Sequence, residues 1–256
     1  MAAGLAIAPV MESAPGQRIG RTILRAVEAS RRVTRSNANL GIVLAIAPLA
    51  ALPAEGAICV DDIPPLLARL TPADALELWT AIAIAAPGGM GRRPDMDVAG
   101  PAPDDLLAAM AAAAPHDRIA RLWTEGWQPI VDGLVADLLD ELDAGMTLGD
   151  AIVRGYLRQL AREPDTLIAR RHGVETAVAV SRRAGEVLSH GARGWIEAAA
   201  VFDRELRVPK RINPGTTADL CATALYILLR EGRLQSRLGG STDLATRISA
   251  TPDRRE

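Results

Sequence analysis

The sequence predicts an all-α protein, a single compact multi-helix domain with a buried central apolar helix. Hydrophobic residues make up 49% of the 256 residues and aromatic residues only 3%, so Ala, Leu, Ile and Val must build the core. Ala has the highest helix propensity, whereas β-sandwiches and barrels depend on β-branched and aromatic pairs. Apolar residues also recur at helical spacing, and no segment shows the alternation typical of a half-buried strand.

Eight helices are predicted from this spacing and from the capping residues, prolines and glycines at their ends. The segment 40–52 is apolar on every side, which is typical of a buried central helix. Thr147 and Asp150 resemble a capping box at the start of a later helix. The predicted ranges are 17–35, 40–52, 73–86, 103–114, a helix from 115 that is bent or divided at Gly126 and Pro129, 147–162, 164–190 and 213–232.

These helices predict one domain over residues 17–235. We expect residues 1–16 to be a poorly ordered or packed N-terminal segment and residues 236–256 to be a frayed tail. Residues 1–11 lack the basic region of a signal peptide. The longest uncharged run, 36–54, is interrupted by Asn and Pro and is near the lower limit for spanning a bilayer. A soluble, cytoplasmic protein is therefore expected.

Composition excludes several classes of function. A net charge of −2 and a pI near 6.0 give no overall field for nucleic acid or an anionic membrane. Four Trp, two Tyr and one Phe are too few for a base-stacking platform. Cys59 and Cys221 are far apart, which excludes a structural zinc site and gives no support to a disulfide framework. The three His residues form no zinc or di-iron motif.

Polar segments interrupt this apolar background at five places. The first, 36–41, contains Asn37 and Asn39, whose side chains either cap a helix or bind a ribose or phosphate. The second, 86–97, is either a plain interhelical loop or a binding loop. Its glycines let backbone amides approach a ligand, and its Asp-x-Asp pair suits Mg²⁺. The candidate residues in this loop are Gly88, Gly89, Gly91, Arg92, Asp95 and Asp97.

The third segment, 116–121, begins at a predicted helix start. Asp117 is placed to cap that helix. Arg118 and Arg121 are three residues apart and so share a face of the helix. A solvated charged face is the alternative to a binding role for these arginines.

The fourth segment, 164–172, also begins at a helix start. Asp165 there either compensates the helix dipole or takes part in a binding site. Thr166 and Arg170 are four residues apart and align on one helical face. A helix N-terminus beside arginines is a natural place for a phosphate.

The fifth segment, 210–219, has the strongest physical case for an anion site. Asn213 is predicted to be the N-cap and Pro214 the first helical residue. The amides of Gly215 and Thr216 would then point outward at the positive end of the helix dipole. Lys210 and Arg211 lie just upstream. Simple helix capping is the alternative.

Taken together and in this order, the five segments resemble the triphosphoribosyl-dephospho-CoA synthase family. The resemblance spans about residues 19–233 and rests on SNANLG (36–41), APGGMGR (86–92), HDRIAR (116–121), PDTLIAR (164–170) and NPGTTADL (213–220). It implies an all-helical enzyme that joins ATP to 3′-dephospho-CoA, releases adenine and so makes a prosthetic-group precursor. The family's upstream Lys-Pro-Gly segment has no counterpart before residue 15. We therefore expect either a shortened member of the family or a misplaced start.

The implied reaction assigns roles to residues of these segments. A 2′-hydroxyl attacks C1′ of the ATP ribose while Mg²⁺, arginines and backbone amides hold the triphosphate. A carboxylate takes the hydroxyl proton or stabilises the cationic sugar, and Asp165 and Asp219 are the candidates. Asp95 and Asp97 are assigned to Mg²⁺. Triphosphate or nucleotide contacts are assigned to Asn37, Asn39, Gly88, Gly89, Gly91, Arg92, Arg118, Thr166, Arg170, Arg211, Asn213, Gly215, Thr216 and Thr217.

Two other functions remain open at this point. One is a transferase that uses ATP or a phosphoribosyl donor with another acceptor, in a pterin or one-carbon cofactor pathway. The other is an inactive nucleotide-binding scaffold. ATP and dephospho-CoA are the expected small-molecule substrates, with no nucleic acid and no membrane. Exposed apolar helix faces would also allow a homodimer.

Overall fold

A computed structural model describes residues 2–34, 39–85, 100–209 and 211–238, and in these ranges it contains helices and no strands. The predicted all-α, single-domain fold is confirmed. Of the helices described, none is long and apolar enough to cross a membrane. The helices are α1 (Ala2–Glu12), α2 (Ile19–Val33), α3 (Leu40–Ala51), α4 (Ile63–Leu67), α5 (Pro72–Ala85), α6 (Leu106–Ala113), α7 (Arg118–Glu125), α8 (Gln128–Ile130), α9 (Ala136–Asp143), α10 (Leu148–Arg162), α11 (Thr166–His172), α12 (Val174–Leu188), α13 (Gly191–Arg207), α14 (Gly215–Arg230) and α15 (Arg233–Leu238). A 3₁₀ turn (Val60–Asp62) precedes α4, and a π-helical turn (Val131–Val135) joins α8 to α9.

Helix α3 lies inside the larger of two hydrophobic clusters. Nine of its twelve residues are buried, and it contacts α1, α2, α4, α7 and α14. Val43, Ala47 and Leu49 have no exposed surface. Small and branched side chains let the surrounding helices approach this helix closely, as the composition predicts.

A proline in α3 leaves one backbone carbonyl without its helical donor, and a tryptophan supplies the replacement. Pro48 has no N–H, so the carbonyl of Leu44 four residues earlier receives no helical hydrogen bond. The indole Nε1 of Trp123 on α7 donates to that oxygen at 3.2 Å. Trp127 donates to the next carbonyl, that of Ala45, at 2.9 Å. Two of the four tryptophans therefore fix α3 by hydrogen bonds as well as by packing.

An arginine caps the C-terminal end of α3. The last carbonyls of any helix have no intrahelical partner. The guanidinium of Arg230, at the end of α14, donates to the carbonyls of Leu49 and Pro53 and to that of Leu52 at 3.1 Å. The contact joins the end of α3 to the end of α14 and sets these two helices side by side.

The smaller hydrophobic cluster is built by α10, α11, α12 and α13. Its largest fully buried side chains are those of Leu160, Ile168 and Trp195. Part of its boundary with the larger cluster is ionic. Two buried acids of α9 pair with three arginines spaced one helical turn apart on α10; they are Asp137 and Glu141 with Arg154, Arg158 and Arg162.

Two predictions about the C-terminal helices are wrong, and one helix there was not predicted. The predicted helix 164–190 is divided at Gly173, whose φ of 89° lies in the left-handed region. Helix α13 (Gly191–Arg207) was not predicted, and no side chain caps its start. Helix α14 begins at Gly215 rather than at Pro214, and Asn213 does not cap it.

Other helix boundaries follow the predicted signals. Asp105, Asp117 and Thr147 accept hydrogen bonds from the first amides of α6, α7 and α10. Gly126 ends α7, and Pro129 lies in the short α8 that follows. The N-terminal segment contains α1, which packs on α2 with Ile7 and Met11 buried. Of the predicted frayed tail, 236–256, the first three residues are the end of helix α15, and the rest lies outside the described residues.

The hydrogen bond from Trp123 to Leu44 leads to a stability prediction. Trp123→Phe removes the indole donor and leaves a partly buried carbonyl unpaired, so we expect a loss of about 1–3 kcal/mol in the free energy of unfolding. Pro48→Ala restores the helical donor to the Leu44 carbonyl. The double variant should therefore lose less than the sum of the two single changes. Urea denaturation of the wild type and the three variants measures this coupling, and strictly additive losses would contradict the interpretation.

Candidate functional site

The first turns of α7, α11 and α14 meet at a pair of threonine hydroxyls. Thr166, the first residue of α11, accepts the backbone N–H of Arg118, the first residue of α7, at 3.3 Å. Its Oγ1 also lies 3.1 Å from Oγ1 of Thr216 in α14. A helix N-terminus carries a partial positive charge and unpaired amides, so three of them at one place favour an anion.

Asp165 caps two helices with one carboxylate. Its Oδ1 accepts the amides of Leu167 and Ile168 in its own helix at 2.9 and 3.0 Å. Its Oδ2 accepts the amide and the hydroxyl of Thr217 in α14, both at 2.8 Å. The residue is 2% exposed. Burial raises the pKa of this carboxyl group, while the four hydrogen bonds act in the opposite direction.

Asp219 differs from Asp165 in that its carboxyl group has no hydrogen-bond partner among the described residues. It is largely enclosed, and among the described residues no side chain or amide hydrogen-bonds or ion-pairs with its carboxyl oxygens. Burial, followed by the charges of Asp165 and Asp117, raises its pKa from 3.8 to about 8. A cation brought beside it would reverse this effect and ionise it.

Asp219 lies directly against the first turn of α3. A Cβ atom on Gly41 would come within 2.0 Å of Oδ2 and 2.6 Å of Cγ of Asp219. Only a glycine therefore leaves room for the carboxyl group at this position. The contact places Asp219 between α14 and the first turn of α3, where the first of the polar segments found in the sequence ends.

Two ion-pair systems flank the threonine pair. Arg170 on α11 donates to Oδ2 of Asp117 at 3.1 Å, while Oδ1 of Asp117 caps α7. Glu163 accepts Nε of Arg118 at 3.0 Å and Nη1 of Arg121 at 2.6 Å. These pairs hold the arginines of two polar segments beside the same helix starts.

Two of the α14 amides near the predicted anion site already donate hydrogen bonds within the protein. The amide of Gly215 donates to the carbonyl of Asn213 at 2.8 Å, and that of Thr217 donates to Asp165. Among the described residues, the amide of Thr216 has no acceptor. Tyr156 donates its hydroxyl to the carbonyl of Pro214 at 3.3 Å, which holds the turn in place.

The structure brings together most of the predicted residues that it describes. Those at the helix starts are Arg118, Asp165, Thr166, Arg170, Gly215, Thr216, Thr217 and Asp219. Arg211 and Asn213 lie exposed in the turn before α14, and Arg211 has a φ of 49°. Asn39 is buried, and its amide group bonds to Ser30 and to the carbonyl of Ala3.

The remaining predicted residues lie outside the described residues. They are Asn37, Gly88, Gly89, Gly91, Arg92, Asp95 and Asp97. The predicted magnesium ligands, Asp95 and Asp97, are among them. In the part of the chain that the structure describes, no group of three or more His, Cys, Asp or Glu side chains is arranged to hold a metal ion.

Two residues of the site were missed in the sequence. Glu163 directly follows α10 and belongs to no sequence motif. Only its short distances to Arg118 and Arg121 show its role. Tyr156 lies in the middle of α10 and gives no signal beyond being one of two tyrosines. Both contacts join parts of the chain that are more than 40 residues apart, and periodicity cannot show such contacts.

Comparison with known proteins agrees with the resemblance found in the sequence. A crystal structure from Archaeoglobus fulgidus, which carries the provisional name triphosphoribosyl-dephospho-CoA synthase, superposes with a TM-score of 0.71 and 25% sequence identity. The match covers 90% of this chain and 98% of that one. No curated protein matches the chain. The sequence model of the CitG family, ATP:dephospho-CoA triphosphoribosyl transferase, matches residues 1–238, and the chain therefore belongs to this family of transferases.

Proposed function

We propose that the starts of α7, α11 and α14 form the active site at which this transferase moves the triphosphoribosyl group of ATP to the 2′-hydroxyl of 3′-dephospho-CoA. The observation that carries the proposal is Asp219. It is an enclosed carboxyl group with no partner among the described residues, and it lies beside helix starts that favour an anion. A strongly perturbed carboxyl group in such a position is typical of a catalytic acid or base.

In the proposed step, the 2′-oxygen of the acceptor forms a bond to C1′ of the ATP ribose. The bond between C1′ and the adenine nitrogen breaks, and its electron pair leaves with adenine. Ionised Asp219 accepts the proton of the attacking hydroxyl, and its negative charge stabilises the cationic sugar. Enclosure of Asp219 strengthens that electrostatic interaction.

The triphosphate is assigned to the positive side of the same site. Arg170 is held at the helix starts by Asp117, and Arg211 lies exposed in the turn that leads into α14. The amide of Thr216 adds a backbone donor at the N-terminus of α14. We propose that Arg92 and the glycines of 86–91 add further donors. Bound Mg²⁺, held by Asp95 and Asp97, would neutralise charge on the triphosphate.

Asp165 has a different role from Asp219 in this proposal. Both of its oxygens are occupied by four hydrogen bonds to α11 and α14. It therefore orients the two helix starts and keeps Asp219 in place. Between the two candidate bases, the geometry favours Asp219. A cytoplasmic location and a homodimer remain proposals.

Adenine release tests the reaction and the role of Asp219. The protein is incubated with ATP and Mg²⁺, with and without dephospho-CoA, and adenine is measured by mass spectrometry. Release should require dephospho-CoA, and Asp219→Asn should lower the rate by roughly 10²–10⁴. Asp143 on α9 forms an exposed ion pair with Arg237. Asp143→Asn therefore serves as the matched control and should release adenine at the wild-type rate. Normal turnover by Asp219→Asn would refute the assignment.

The pH dependence of turnover follows from the raised pKa of Asp219. The proposed base must be ionised, so kcat/KM should rise with pH and level off above about 8. The effect of pH on stability has the opposite sign, because the folded protein loses stability as the pH rises. The folded pKa lies above 3.8, so ionisation costs folding free energy as the pH rises from 4 to 8. Asp219→Asn should therefore be at least as stable as the wild type at pH 8. A flat rate profile between pH 6 and 9 would contradict the first expectation.

Asp165→Asn separates the positioning role from catalysis. The amide keeps one acceptor oxygen but turns an NH₂ group toward either the α11 amides or the Thr217 amide. We expect a loss of about 1–3 kcal/mol in the free energy of unfolding, together with lower activity. Thermal and urea unfolding measured beside adenine release would show whether both fall together. Full stability with lost turnover would instead make Asp165 the catalytic carboxylate.

A further inference from the structure

Arg118 contains a buried donor atom without an acceptor. Its side chain is 9% exposed, and its Nη1 atom is buried and makes no hydrogen bond. A buried N–H group left unpaired costs free energy, and native proteins seldom keep one without a functional reason. The atom therefore points to an acceptor supplied by a ligand.

The position of Arg118 indicates the chemical class of that acceptor. Arg118 is the first residue of α7, and its own amide donates to Thr166, which pairs with Thr216. The backbone of Arg118 is therefore part of the place where three helix N-termini meet, and its guanidinium lies within one side-chain length of that place. An anion is the ligand that such a place favours, and a phosphate oxygen matches the donor geometry of a guanidinium.

Glu163 fixes this guanidinium. Its Oε2 atom accepts Nε of Arg118 at 3.0 Å, and the planarity of the guanidinium then restricts where Nη1 can lie. Its Oε1 atom is occupied by Arg121 at 2.6 Å. Two arginines thus share one carboxylate, and one positive charge of this group remains uncompensated.

We propose that Glu163 is a positioning residue for the triphosphate: it holds the Arg118 guanidinium so that Nη1 donates to a phosphate oxygen. This inference rests on the proposed function and adds to it a residue that no sequence motif marks. Glu163 acts only through Arg118 and does not touch the substrate.

Glu163→Gln gives opposite results for positioning and for simple electrostatics. The change removes a negative charge near an anion, which by itself would strengthen anion binding. Loss of the fixed guanidinium would weaken it. Gln offers a single acceptor oxygen where Arg118 and Arg121 need two. We therefore expect the affinity for inorganic tripolyphosphate, measured by calorimetry, to fall about tenfold.

The matched control is Glu141→Gln. Glu141 also holds two arginines, Arg154 and Arg158, but it is buried and lies in the ionic boundary between α9 and α10. Its variant should lose stability without losing affinity for tripolyphosphate. Glu163→Asp keeps the charge but shortens the side chain, and it serves as the second variant if Glu163→Gln does not fold. It should also bind tripolyphosphate more weakly.

Kinetics add a second measurement. Glu163→Gln should raise KM for ATP about tenfold and leave kcat nearly unchanged, since the interaction holds the triphosphate and not the reacting carbon. Unchanged or tighter tripolyphosphate binding would overturn the proposal. Equal losses of affinity in Glu163→Gln and Glu141→Gln would also overturn it, because they would show a structural effect. Failure of the proposed function is separate, since it would appear as no adenine release by the wild type.

Discussion

The structure depends on the double cap formed by Asp165. Helix α11 belongs to the smaller hydrophobic cluster and α14 to the larger one, and this buried carboxylate accepts amides in the first turns of both. Without it, two helix starts would present unpaired donors to each other in a largely dry environment. The threonine pair joins the same two helices, and Arg170 on α11 extends the contact to the start of α7 through Asp117.

The double cap also explains the contrast between two carboxyl groups in one small region. Asp165 receives every hydrogen bond that its oxygens can use, whereas Asp219 is enclosed without a partner among the described residues. The negative charge of Asp165 is one reason why the pKa of Asp219 is raised. Division of labour between two acids arises when their environments differ in this way. One organises the backbone, and the other keeps its carboxyl oxygens free of hydrogen bonds from the described residues.

Much of this molecule could be predicted from local pattern. Apolar spacing located most helices, and Asp117 and Thr147 marked two helix starts correctly. The start of α14 was misplaced because its cap comes from Asp165, about 50 residues away in sequence. Glu163 was missed for the same physical reason: its role depends on a distance between helices. The break at Gly173 was missed because apolar spacing continues on both sides of it.

The boundary between the two hydrophobic clusters has a consequence for motion. Near the site it is crossed by the hydrogen bonds of Asp165 and the threonines, and between α9 and α10 by the arginine pairs of Asp137 and Glu141. Hydrogen bonds depend strongly on distance and angle, whereas each cluster is held by close apolar packing within itself. The helices of the smaller cluster are therefore suited to open as one cooperative unit in amide hydrogen exchange, while α3 and its neighbours stay closed. Such an opening would part the helix starts of the site first, and a ligand that contacts both sides would hold them together.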